Sequence, residues 1–163
     1  MKVLDLGCGA GNHSIFCAEN GAKVHAVDFS HSALEVVKQR AEQQGVGDQI
    51  TTEQVDFDDF NVTGEGFDLV IDRLAVTHAP MTSAFEVYQR VFERMSDGGV
   101  LLANVFSIGH SHKDYGRYDS EKDVWVDFSA GIFQGLLSAS FYHQSQVEQL
   151  LEPFKLLSLS RES

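Results

Sequence analysis

Three glycines stand at alternate positions, Gly7, Gly9 and Gly11, directly behind the apolar run Val3, Leu4 and Leu6. A carboxylate, Asp28, closes a second apolar run roughly 20 residues beyond the turn. Glycine permits backbone conformations closed to other residues and lets a ligand approach the bare chain. A helix beginning near Gly11 or Asn12 would aim its free N–H groups at the same place. An acid at this distance is where a ribose diol is held. The chemistry suggested is therefore nucleotide binding; the competing reading is a tight strand-to-helix turn with a solvated Asp28. A dinucleotide fingerprint would put its third glycine where Asn12 stands, and a phosphate-binding loop would need Lys followed by Ser or Thr. Both are missing, which weakens an NAD-linked oxidoreductase and argues against a triphosphate site.

With those residues in view, Asp5-Leu6-Gly7-Cys8-Gly9-Ala10-Gly11 resembles the first motif of the class I S-adenosylmethionine-dependent methyltransferases, and Val27-Asp28-Phe29-Ser30 resembles their second. The resemblance implies S-adenosylmethionine as cofactor, with Asp5, Gly7, Cys8, Gly9, Gly11, Asp28 and Phe29 around it. It also implies that Asp56 holds the adenine amino group and that the backbone N–H of Phe57 meets a ring nitrogen; the other reading of that acidic stretch is a solvated turn. The run Phe67-Asp68-Leu69-Val70-Ile71 leads to Asp72-Arg73 and resembles the family's fourth motif. Asp72 is then expected near the reacting methyl, and Arg73 either holds the cofactor carboxylate or pairs with Asp72. The implied reaction is methyl transfer to a small-molecule oxygen or nitrogen acceptor, with His78 as the first candidate base and His110 as the second. The alternative is a module that binds the nucleoside without catalysis. The pair His110-x-His112 lacks a third identifiable ligand, so no metal site is assigned.

The elements that must position these residues can be read in order. Strands are expected at Val3 to Leu6, Lys23 to Val27, Ile50 to Val55, Phe67 to Ile71 and Val100 to Phe106, with a sixth from Phe154 to Ser160. Helices follow the first strand, then Ser30 as N-cap with Gly45 as stop, then Thr82 to Met95 with Phe85, Tyr88, Phe92 and Met95 on one face. Ser145-Gln146-Val147-Glu148 has capping-box spacing for a last helix that Pro153 ends. This order predicts an α/β fold, a Rossmann-like doubly wound sheet, mostly parallel, of about six strands with helices on both faces. A single domain spans 1–163, with 107–144 as a glycine-interrupted, aromatic-rich lid or substrate-pocket insertion.

The resemblance implies a helical segment ahead of the first motif, where only Met1 and Lys2 stand, and a seventh strand between the fifth and sixth. Either the fifth and sixth strands pair directly, or an exposed edge is open to another chain, giving a homodimer.

Composition narrows the partners. Acidic residues number 24 against 12 basic, a net charge of −12, which repels nucleic acid and anionic membranes and favours small or cationic ligands. Hydrophobic content of 43% fits a soluble globular chain, and 163 residues suffice for one core. Two cysteines, Cys8 and Cys17, make neither a disulfide framework nor a metal pattern. They read as reduced thiols of a cytoplasmic protein, and no apolar run reaches membrane-spanning length.

Overall fold

A computed structural model of the chain describes residues 1–161. The elements in order are β1 (Lys2–Leu6), α1 (Asn12–Glu19), β2 (Lys23–Asp28), α2 (His31–Gln43), β3 (Ile50–Gln54), β4 (Phe67–Arg73), α3 (Met81–Arg94), β5 (Met95–Asn104), β6 (Arg117–Asp119), β7 (Val124–Val126) and α4 (Gln144–Leu150). The first five strands form one parallel sheet in the order β3-β2-β1-β4-β5. That is the expected Rossmann-like arrangement, with β1 and β4 at the point where the strand order reverses.

Alternation along the strands creates two layers. Val3, Val24 and Ile71 pack with Ile15 and Ala18 of α1 and Ala41 of α2. Their strand neighbours Leu4, Val27 and Val70 turn the other way, onto Ala84, Val87, Tyr88 and Val91 of α3 and Leu150 of α4. Both faces are covered at β1 and along the middle of β4, which is why these two strands read as short apolar runs, whereas β3 is largely polar and β5 leaves Val100 and Leu102 exposed. Ser30 caps α2 as expected, its Oγ accepting from Ala33 N at 3.3 Å. Gly45, with φ of 70°, follows the helix end.

Two expectations are corrected. Phe154 to Ser160 forms no strand: among the described residues it joins no ladder, and Leu156, Leu157 and Leu159 are exposed. Alternating residues define which side chains would share a face, but a strand also needs a neighbouring ladder, and this segment lies across a groove of about 1870 Å³ from β5. The last helix begins two residues earlier than the Ser145 spacing suggested. His143 is its N-cap, and its backbone N donates to Gln146 Oε1 at 2.8 Å, so Ser145 lies inside the helix.

The segment 107–144 is more ordered than its composition suggested. It contains the antiparallel hairpin β6–β7 and a small core of Phe128, Phe133, Ala139 and Phe141, flanked by Phe106, Ile108 and Trp125. Phe133 lies 4.9 Å from Phe106 and 5.3 Å from Phe141, ring centre to ring centre, in edge-on contact. Ala139 exchanges two backbone hydrogen bonds with Trp125, at 2.8 and 2.9 Å, which ties the returning chain to the hairpin.

Candidate active site

The glycine turn wraps over the end of the sheet. Cys8 N donates to Val27 O at 2.9 Å, and Gly11 N donates to Cys8 O at 2.8 Å. All three glycines have positive φ, but for different reasons. A Cβ on Gly7 would stand 2.4 Å from the Cβ of Ala75, and one on Gly11 would stand 2.8 Å from Val37. A Cβ on Gly9 would meet nothing within 4 Å. Gly7 and Gly11 therefore serve close packing, whereas Gly9 presents bare backbone to open space.

Asp28 ends β2 beside that opening and is 8% exposed. Its Oδ2 accepts from Gly9 N at 2.8 Å and its Oδ1 from Ser30 N at 2.9 Å. These donors orient the carboxylate while leaving each oxygen a further lone pair. Arg40, reaching across from α2, donates to Ala10 O and to Asn12 Oδ1, the latter at 2.8 Å. Asn12 thus has its own part in holding the turn in place of a third glycine.

Asp5 is buried and accepts from Ser14 Oγ at 2.6 Å. Burial pushes its carboxyl above the ordinary range, against the stabilising Ser14 bond. Burial also pushes the Cys8 thiol up to about 12, helped by the charges of Asp5 and Asp28, so it stays protonated and is no nucleophile.

Asp72 differs from its expected setting. It is fully buried, with Oδ1 accepting from Ala75 N at 2.8 Å and Val76 N at 3.4 Å, and Oδ2 accepting from Tyr88 O–H at 2.7 Å. Burial raises it to about 6, opposed by those bonds and assisted by Asp5. Its carboxylate faces the core and shapes the loop after β4. Arg73 is not paired with Asp72; it is exposed and opens onto the groove along β5. Asp56 is exposed and caps a short 3-10 turn, accepting from Asp58 N at 3.1 Å. Asp58 is committed elsewhere, to Ser83 Oγ at 2.9 Å. The Phe57 ring reaches to 4.0 Å from the Cβ position of Gly7, and Phe29, next to Asp28, is 67% exposed.

The two histidines converge on one ring. His78 lies 6.3 Å and His110 5.8 Å from Phe106, centre to centre. His78 Nδ1 meets Ser138 O at 3.0 Å. His110 Nδ1 instead accepts from His112 N at 3.2 Å, and burial with the neighbouring His112 disfavours its charged form.

A family model described as a methyltransferase domain matches residues 1–155. The chain belongs to the class I S-adenosylmethionine-dependent methyltransferases. Among curated relatives of this methyltransferase domain is a sterol 24-C-methyltransferase of Yarrowia lipolytica, 35% identical over 101 residues, covering 61% of the chain and 26% of that protein. A ubiquinone biosynthesis O-methyltransferase of Psychrobacter cryohalolentis is 30% identical over 115 residues, covering 70% of the chain and 43% of that protein. The chain thus spans less than half the length of these relatives. Among solved structures, an S-adenosylmethionine-dependent methyltransferase from Methanosarcina mazei superposes with a TM-score of 0.73 at 18% identity, covering 93% of this chain and 77% of that one. One from Clostridium acetobutylicum gives 0.72 at 20% identity, covering 93% and 71%. These likenesses agree with the fold.

Sequence reasoning missed several residues that support the candidate site from around it. Ser14 and Arg40 hold Asp5 and the glycine turn, Tyr88 holds Asp72, and Ser138 and Ser140 hold the loop bearing His78. Ser14 alone carried a signal, since a polar residue on the buried face of α1 requires a partner. The others act across long sequence separations that no local pattern marks.

Proposed function

We propose that this domain binds S-adenosylmethionine at the glycine turn and transfers its methyl group to a small-molecule oxygen or nitrogen nucleophile. When bound, the cofactor supplies a methyl group already activated by a sulfonium centre. The observation that carries the reading is the pairing of Gly9, whose Cα faces open space, with the oriented carboxylate of Asp28 beside it. Asp28 would hold the ribose diol, and the backbone around Gly9 would admit the cofactor closely. Asp28, the carboxylate beside the opening, suits a cationic nucleoside better than a pyrophosphate. Exposed Asp56 and the backbone of Phe57 remain the candidates for the adenine.

Alignment and exclusion of water are the protein's main contributions to such a displacement. The proton released by the acceptor needs a base, and His78 suits that role better than His110. Ser138 O can only accept, so in the neutral ring the proton sits on Nδ1 and Nε2 keeps its lone pair. In His110 the Nδ1 lone pair already accepts from His112 N, which leaves the proton on Nε2.

The relatives named above act on sterol carbon and on an oxygen of ubiquinone biosynthesis, so the test uses an acceptor panel of phenols, amines, carboxylates and sterols. The protein is incubated with methyl-deuterated S-adenosylmethionine, and products are read by mass spectrometry. A labelled O- or N-methyl product is expected. Cofactor binding with no product from any acceptor would favour a binding module, and a methylated carbon would reject the acceptor class.

A further inference from the structure

The loop after β4 is fastened from outside by a segment of the aromatic-rich region. Ser138 and Ser140 flank Ala139, which is buried and bonded on both its N–H and its C=O to Trp125. Three consecutive carbonyls of the loop then receive donors from the two serines. Ser140 N donates to Thr77 O at 2.6 Å, Ser138 Oγ to His78 O at 2.7 Å and Ser140 Oγ to Ala79 O at 2.8 Å. A short 3-10 turn such as Val76–His78 leaves carbonyls without partners of its own, so these bonds define its conformation. The fourth contact runs the other way, from His78 Nδ1–H to Ser138 O.

We infer that Ser138 and Ser140 are positioning residues for His78, fixing its ring with the proton on Nδ1 and the lone pair on Nε2. This rests on the proposed role of His78 as base. In the proton transfer, the acceptor's X–H bond breaks and an Nε2–H bond forms, while Nδ1 keeps its proton. The resulting imidazolium has its charge next to the Ser138 carbonyl, which strengthens the existing bond. The same segment whose aromatic core lies beside Phe106 thereby sets the chemistry of the base. An acceptor that must lose a proton fits this arrangement.

The tautomer can be read without cofactor or acceptor. In uniformly nitrogen-15-labelled protein at mildly alkaline pH, multiple-bond proton–nitrogen correlations report each imidazole nitrogen, and His78→Gln assigns the signals. Nδ1 of His78 is expected as a protonated nitrogen and Nε2 as an unprotonated one. The reverse pattern, or averaging between the two tautomers, would overturn the inference. In the Ser138→Ala/Ser140→Ala protein, the His78 signals are expected to collapse toward an average of the two tautomers; an unchanged tautomer would also overturn it. Should that variant not fold, the wild-type spectrum still decides. S-adenosylhomocysteine affinity, titrated on the same samples, is expected to stay within about twofold because neither serine contacts the glycine turn. Loss of binding in the wild type would reject the functional reading while leaving the tautomer result intact.

Discussion

At the scale of single residues, Gly7 and Gly9 separate packing from ligand access. Gly7→Ala forces a Cβ to 2.4 Å from Ala75 at a φ of 59°, and should cost about 2–4 kcal/mol in chemical denaturation. Gly9→Ala meets only the penalty of its φ of 52°, about 1 kcal/mol, yet should weaken S-adenosylhomocysteine binding by at least roughly tenfold because the Cβ enters the open space. Equal effects on both properties in both variants would contradict the division.

Asp72 makes a second residue-scale prediction. Its carboxyl titrates near 3.8 ordinarily and at about 6 when folded. Between those values the folded chain holds a proton that the unfolded chain releases, so this group's contribution falls as pH rises through that window. Asp72→Asn keeps an acceptor for Ala75 and Val76 and turns the Tyr88 bond around. Relative to wild type it should therefore gain stability between about pH 4 and 7, by up to about 3 kcal/mol. Parallel denaturation curves at the two pH values check this, and a constant difference would contradict it.

At the scale of elements, what was legible followed from burial. Val3 to Leu6 and Phe67 to Ile71 read as strands because both sheet faces are covered, and Ser30 and Gly45 marked the ends of α2 through local capping chemistry. The same local rules failed where the deciding partner is distant. Phe154 to Ser160 has the apolar content of a strand but stands across a groove from the open edge of β5 instead of pairing with it, and Ser145 has the spacing of a cap that His143 provides instead. The hairpin β6–β7 was hidden because what holds it lies far along the chain: Trp125 bonds through its backbone to Ala139 and packs edge-on against Phe141. In the candidate site, Asp28 and the glycine turn were readable because they lie together in sequence as well as in space. Asp72 was placed correctly at a strand end, but its inward orientation depends on Tyr88, which lies a helix away. His78 and Ser138 are 60 residues apart, beyond any periodicity.

For the whole molecule, a net charge of −12 gives a field that favours cations. Among the described residues no helix is long and apolar enough to cross a membrane, and the outer edge of β5 has no strand beside it. The glycine turn and the clamped β4 loop both lie at the carboxyl edge of the sheet. The central claim is that this edge holds an adenosyl cofactor through Asp28. Calorimetric titration of wild type and Asp28→Ala with S-adenosylhomocysteine tests it most directly. One site per chain is expected in the wild type, with affinity reduced roughly 100-fold in the variant, as loss of a charged hydrogen-bond acceptor requires. No binding by the wild type, or equal affinity in both, would contradict it.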